Sequence, residues 1–229
     1  MDFSFSPEQD DLRREARDFL EANPSPSHEQ LTELGWVGIL QSDDFTFLDA
    51  AVLFEELGRA LYDGPYVLNE IAGRPDPDLS QLEPDVRRRL LAAFALEAVG
   101  IGSKAIELAI AYAGEREQFG KKIGAYQAIS HSLVDGYVAV ELGRSLAYWA
   151  AWCVAEGDEQ AEVAVAAAKS QATEAAVLAC EKSIQAHGGV GFTWEHPLHR
   201  YYKRALWLEG ALGYGRVHRA EIAESLLPS

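Results

Sequence analysis

Two short segments hold residue types from which a cofactor site can be built. The first is Arg116-Glu117-Gln118-Phe119-Gly120-Lys121. An arginine where a helical pattern ends suits a pyrophosphate, because the planar guanidinium offers parallel N–H donors to two oxygens. The structural alternative makes Gly120 a residue that stops a helix and Phe119 a buried plug for the turn. That alternative accounts for the glycine and the phenylalanine but not for their pairing with Arg116. The second segment is Gln185-Ala186-His187-Gly188-Gly189-Val190-Gly191-Phe192. A glycine pair after an Ala-rich helical pattern is commonly a stop signal, yet glycines also allow close backbone approach to a flat ligand. It is not a dinucleotide fingerprint of the strand–turn–helix kind, since no strand precedes it and the third glycine is absent.

Two acids stand out as possible bases. Glu97 lies inside the apolar stretch Leu90–Ile101, where a carboxylate is costly unless paired. It reads either as a reactive acid or as the structural partner of an arginine. Glu209 precedes Gly210 and reads either as an ordinary polar helix position or as a second reactive acid. Metal chemistry has little to stand on. A di-iron bundle needs Glu-x-x-His pairs, and no histidine here has an acid three residues before it. Glu195, His196 and His199 have no matching ligand set elsewhere, so no metal site is assigned. Cys153 and Cys180 are far apart with no Cys-x-x-Cys spacing, as expected of free buried thiols. Trp194, Tyr201, Tyr202 and Trp207 are read as core and interface aromatics rather than a cofactor box.

The elements that position these residues are helical. Ser6-Pro7-Glu8-Gln9 opens a helix with a capping box, and the apolar stripe Leu12, Ala16, Phe19, Leu20 carries it to about Glu21. A second short helix covers about Ser27 to Leu34, and Trp36–Leu40 is an apolar connection. Phe47 to Leu61 is strongly helical, with Ala51, Phe54, Leu57 and Leu61 on one face, and Asp63-Gly64-Pro65 ends it. The three prolines between Gly73 and Pro84 mark a linker. Helices are then expected at about Glu83–Gly114, Ala125–Glu156, Glu159–His187 and Pro197–Leu227, with turns at Phe119-Gly120, near Gly157 and at Gly188–Gly191. Four long helices with short turns make an up-down bundle. The expectation is an all-α protein: a helical part over residues 1–72, a linker over 73–84 and a four-helix bundle over 85–229.

The charge narrows the partners. Across 229 residues the formal net charge is −16, which argues against nucleic acid or an anionic membrane. An anionic ligand therefore needs local cations. Arg87–Arg89, Lys121-Lys122 and His199–Arg204 supply them, although each also reads as a solvated helix face. The N-terminus lacks a basic start followed by an apolar core, and no apolar run approaches a membrane span, so the expected location is the cytoplasm.

The two opening segments, in this order and context, resemble the acyl-CoA dehydrogenase family. Met1–Gln9, Leu34–Ile39, Phe54–Arg59, Tyr112–Gly120 and Gln127-Ala128-Ile129 are similar to successive stretches of that family, so the resemblance runs along nearly the whole chain. The family places a β-domain between its two helical parts; here only the Pro-rich segment Gly73–Pro84 occupies that place. The resemblance implies FAD shared with a partner subunit. It implies that Arg116, Gln118, Phe119, Gln127, Gln185, Gly188 and Gly189 contact the FAD of the neighbouring subunit. It further implies a full-length acyl-CoA dehydrogenase-like partner, an acyl-CoA substrate and an electron-transfer flavoprotein-like acceptor. The chemistry removes the α-proton of a thioester while the flavin takes a hydride from the β-carbon, and it needs a carboxylate near the α-carbon. Where many members carry a glutamate, this chain has Leu212-Gly213-Tyr214. Glu209, one turn earlier, and Glu97 are the remaining candidates for the base. The expected function is a subunit of an FAD-dependent acyl-CoA dehydrogenase that donates half of a flavin site. The alternatives are a non-catalytic assembly subunit, or a flavin-free acid–base enzyme using the same helical cleft.

Overall fold

The computed structural model describes residues 5–227; Met1–Ser4 of the opening motif lie outside them. Helix α1 (Pro7–Ala22) begins as the sequence dictates. Ser6 Oγ accepts from the backbone of Gln9 at 3.2 Å, and the Gln9 side chain accepts from the backbone of Ser6 at 3.1 Å. Ser27 and Gln30 repeat the capping box at α2 (His28–Glu33). Helix α3 (Phe47–Ala60) ends at a left-handed Leu61. A further short helix, α4 (Tyr66–Ala72), follows Pro65 and was not expected. Its Glu70 accepts from the backbone of Gly38, and Tyr66 donates to the carbonyl of Trp36, so α4 is fixed by the Trp36–Leu40 connection.

The segment 73–83 leads directly into α5 (Pro84–Glu115), which is followed by α6 (Gln127–Glu156) and α7 (Ala161–His187). The expected fourth long helix is two. Helix α8 (Leu198–Gly210) and helix α9 (Gly215–Leu226) are separated by a break at Ala211–Tyr214. Leu212 there is left-handed at φ 61° and Gly213 has φ 108°, so the helix cannot continue through them. Helix α7 is central: it packs against α5, α6, α8 and α9. Alanines recur among the buried residues of both α5 and α7, and one buried cluster runs from Ala16 of α1 to Leu208 of α8. The chain is all-α apart from one two-residue hairpin among the described residues.

Helix α3 crosses α5 at van der Waals distance. A Cβ at Gly58 would collide with the Glu97 carbonyl, and one at Gly100 with the Glu55 carbonyl. Ion pairs on two buried carboxylates of α3 tie it to other helices. Glu56 takes Arg17 of α1 at 2.6 Å. Glu55 takes Arg144 of α6 and also accepts from Tyr148 at 2.7 Å. No helix among the described residues is long and apolar enough to cross a membrane.

Candidate functional site

The Arg116 segment is built at the end of α5. Helix α5 stops at Glu115, and Arg116 turns to extended backbone as its C-cap. Glu117–Gln118 (β1) then pairs antiparallel with Lys121–Lys122 (β2), with Gln118 opposite Lys121. The turn between them is Phe119-Gly120, with φ 52° and 79°. Two left-handed residues are what a tight two-residue hairpin needs, and Asn or Gly is the usual choice for the first. Gly120 is thus a hairpin residue and not a helix stop. Phe119 is not a buried plug: it is 93% exposed. The hairpin is anchored below by Tyr126, which donates to the Gln118 carbonyl at 3.0 Å and carries Lys121 over its ring at 4.1 Å.

The second segment sits opposite. Helix α7 ends at His187, and Gly188 takes φ 61°, ψ −136°, a region closed to side chains. Gly188–Phe192 then forms a single 3-10 turn. The His187 ring is buried. Its Nδ1–H donates to the Ser183 carbonyl at 2.8 Å, and it stacks on Tyr112 of α5 with centroids 4.4 Å apart. That stack holds the end of α7 against the end of α5.

Between the two lies an open cavity of about 390 Å³. Arg116, Gln118 and Phe119 line one side, and Ala186, His187 and Gly188 the other. Of the residues expected to contact a cofactor, these geometry places together are Arg116, Gln118, Phe119 and Gly188. Gln185 lies one turn back on α7, and its carbonyl accepts from the backbone of Gly188. Gly189 follows in the chain, and Gln127 opens α6 beside Tyr126; all three are exposed and none lines the cavity. Tyr112 and His187, which fall within the matching segments but carry no assigned contact, and Tyr126, which lies outside them, also line the cavity. Tyr126 has a signal in hindsight, as an aromatic directly ahead of a helix start.

The two acids lie elsewhere. Glu97 is buried and held by Arg204 of α8, whose Nε and Nη2 donate at 2.6 and 3.0 Å. The Arg204 guanidinium in turn lies over Trp207 at 4.3 Å. Glu97 and Arg204 also border a cleft of about 170 Å³ beside Tyr62 and Tyr66. Glu209 sits at the end of α8, where burial raises its carboxyl, Glu174 adds to the rise and Lys169 opposes it. Neither acid lines the Arg116 cavity.

The 211–214 break has its own anchor. Lys169 of α7 has no exposed surface, and its Nζ donates to the carbonyls of Glu209 at 3.3 Å and Gly213 at 3.1 Å. Burial pushes the amine down to about 8, against a smaller upward effect of Glu209. His218 of α9 reaches the same Gly213 carbonyl at 3.1 Å.

Residues 88–227 match the family model described as the C-terminal domain of acyl-CoA dehydrogenases. Over 131 residues the chain is 38% identical to acyl-CoA dehydrogenase IpdE2 of Mycobacterium tuberculosis, a match taking in 57% of this chain and 37% of that one. The chain spans about a third of the length of that relative and of acyl-CoA dehydrogenase YngJ of Bacillus subtilis, of which it covers 35%. The fold recurs in full. A chain of the ChsE4–ChsE5 complex from Mycobacterium tuberculosis superposes with TM-score 0.85 at 20% identity, covering 100% of both chains. Butyryl-CoA dehydrogenase of Megasphaera elsdenii gives TM-score 0.82 at 18% identity, covering 99% of this chain and 100% of that one. The protein is a member of the acyl-CoA dehydrogenase family.

Proposed function

We propose that this chain is a subunit of an FAD-dependent acyl-CoA dehydrogenase and supplies one wall of a flavin site whose other wall belongs to a full-length dehydrogenase chain. Phe119 carries the reading. A phenylalanine at φ 52° strains the backbone by about 1 kcal/mol or more. With 93% of its surface exposed, burial within this chain offsets none of that. Its position beside Arg116 and across from Gly188 is accounted for by a contact outside the chain.

The lining residues fit part of a flavin dinucleotide. Arg116 offers paired donors to a pyrophosphate, Phe119 and Tyr126 offer aromatic faces, and Gly188 exposes backbone. They make one open side only, as a shared site requires. When bound, the flavin supplies a hydride acceptor for the β-carbon of a CoA thioester. This chain's part is to orient the diphosphate with Arg116 and to keep water off it with Phe119. Gln118, Gln127, Gln185 and Gly189 are assigned to further contacts around the same group. The base that takes the α-proton is assigned to the partner. Leu212 stands where a glutamate is common, Glu97 already accepts two bonds from Arg204, and Glu97 and Glu209 both lie away from the Arg116 cavity. The ChsE4–ChsE5 likeness supports a partnered reading, since that structure is a complex of two proteins. An electron-transfer flavoprotein-like acceptor completes the reaction.

The test is to purify the chain alone and with each full-length acyl-CoA dehydrogenase chain of its source genome, and to record flavin absorbance and mass. Flavin is expected only in a mixed complex. Arg116→Ala should leave that complex assembled and weaken flavin retention roughly ten- to a hundredfold, the worth of a charge-assisted pair. A complex without flavin, or an unchanged flavin affinity, overturns the reading.

A further inference from the structure

The Ala211–Tyr214 break is fastened from two sides by buried basic groups that the flavin site does not use. His218 of α9 has no exposed surface. Its Nδ1 lies 3.0 Å from a carboxyl oxygen of Glu221, and its Nε2 lies 3.1 Å from the Gly213 carbonyl oxygen. Lys169 of α7 places its Nζ on that same carbonyl at 3.1 Å and on the Glu209 carbonyl at 3.3 Å. Two basic side chains from different helices thus meet at one oxygen. The turn they hold is strained, since Leu212 is left-handed at φ 61°.

The hydrogens at these four contacts can be counted. A carbonyl oxygen accepts and never donates. Glu221 is an acceptor too, because its other oxygen takes Arg87 of α5 at 2.9 Å, a partner that holds the carboxyl ionised. Both ring nitrogens of His218 therefore face oxygens with no hydrogen to give, and each needs one of its own; the imidazolium has both. A neutral amine on Lys169 has two N–H bonds for its two carbonyls. One proton on the pair serves all four contacts when it sits on His218. Placed on Lys169, it gives the amine a third hydrogen with no acceptor at hydrogen-bond distance among the described residues. It also leaves one lone pair of the ring turned against an oxygen.

The charged groups that act on the pair are Arg87 of α5, Glu174 of α7, Glu209 of α8 and Glu221 of α9. Arg219 of α9 is taken up by Glu174 at 2.8 Å. Burial lowers both the Lys169 amine and the His218 imidazole, so the neighbours decide between them. The Glu221 carboxylate raises His218 by direct contact, whereas Glu209 raises Lys169 without pairing with it at salt-bridge distance. A charge on Lys169 lowers His218, and that effect is absent while Lys169 is neutral. We infer that the first proton taken up by this pair rests on His218 and the second on Lys169, the reverse of their order in water, and that the second proton loosens the 211–214 turn. Two cations at one carbonyl repel each other, and opening the turn returns the amine to water. The turn is a latch that is tight at higher pH and eases as pH falls.

The experiment follows the full chain by NMR from neutral pH upward, with nitrogen label in the histidine rings and carbon label at the lysine Cε. Lys169 should lose its proton first, while His218 keeps hydrogens on both ring nitrogens beyond that midpoint. A neutral His218 ring while Lys169 is still charged overturns the order. Glu221→Gln, at a half-exposed position, should leave His218 neutral at a pH where the wild-type ring is an imidazolium; an imidazolium that persists in it overturns the order as well. The latch is read from exchange of the Gly213 amide, which donates to the Gly210 carbonyl at 3.2 Å, corrected for its intrinsic rate. Opening should become roughly tenfold more frequent on going from about pH 9 to about pH 7, as the amine regains its ordinary proton affinity in the open turn. Lys169→Met should show no such change. Opening that is independent of pH in wild type, or equally pH-dependent in Lys169→Met, overturns the latch.

Discussion

Lys169→Met removes the amine that ties α7 to the 209–214 loop, and its effect should depend on pH in a definite direction. Lys169 is fully buried, and its contacts are two carbonyl oxygens, those of Glu209 and Gly213. A neutral amine has two N–H bonds and can serve both. The cation brings a charge that no carboxylate among the described residues pairs with at salt-bridge distance. Burial accordingly sets its pKa at about 8, against 10.5 ordinarily. Between those values the unfolded chain holds a proton that the folded chain has released, so this lysine makes stability rise as pH rises. Below about 8 both forms are protonated and the folded state carries the full cost of the buried charge. At about 1.4 kcal/mol per pH unit, the interval from about 8 to 10.5 corresponds to about 3 kcal/mol. The assay is urea unfolding of wild type and Lys169→Met from neutral pH to the upper end of that interval. Taking the difference between the two cancels the other groups that titrate there. The wild-type advantage should grow by about 3 kcal/mol on going up in pH. A difference that stays flat, or one that shrinks, refutes the reasoning.

Three further outcomes follow from the same packing. Arg204→Met leaves the Glu97 carboxylate buried without its partner and should cost about 3 kcal/mol, read as a lower urea midpoint; adding Glu97→Gln should recover part of it, and full additivity of the two losses would contradict the pairing. Gly100→Ala drives a methyl into the Glu55 carbonyl across the α3–α5 contact and should cost about 3 kcal/mol, seen as a lower midpoint of thermal unfolding. Burial pushes the Cys180 thiol up to about 12, so a thiol reagent should modify it only as fast as the chain unfolds; rapid labelling of the native protein would contradict that burial.

Much of this architecture is legible in the residues because it is set locally. The caps at Ser6 and Ser27 and the long Ala-rich helices depend on neighbours within a turn or two. What was missed depends on distant contacts. Helix α4 has seven residues, too few to show a period, and is held by Trp36 and Gly38. The break between α8 and α9 leaves little mark in the sequence beyond Gly213, since Leu212 alone favours continuing the helix. Its left-handed turn is held by Lys169 and His218, which meet at one carbonyl. The same holds for the site. Arg116, Gln118, Phe119 and Gly188 could be singled out by type and order, but the hairpin that lifts Phe119 into solvent has two residues per strand and no alternation to read. That Glu97 needs a cation was foreseeable from its apolar surroundings. That the cation is Arg204, 107 residues on, was not.

The most direct test of the shared-site account is the flavin absorbance of the chain alone and of its purified complex with a full-length dehydrogenase chain, each scaled to a mass from light scattering. The account predicts none in the chain alone and a stoichiometric flavin in the complex that is lost with Arg116→Ala. Flavin held tightly by the isolated chain, or a stable complex that carries none, would contradict it.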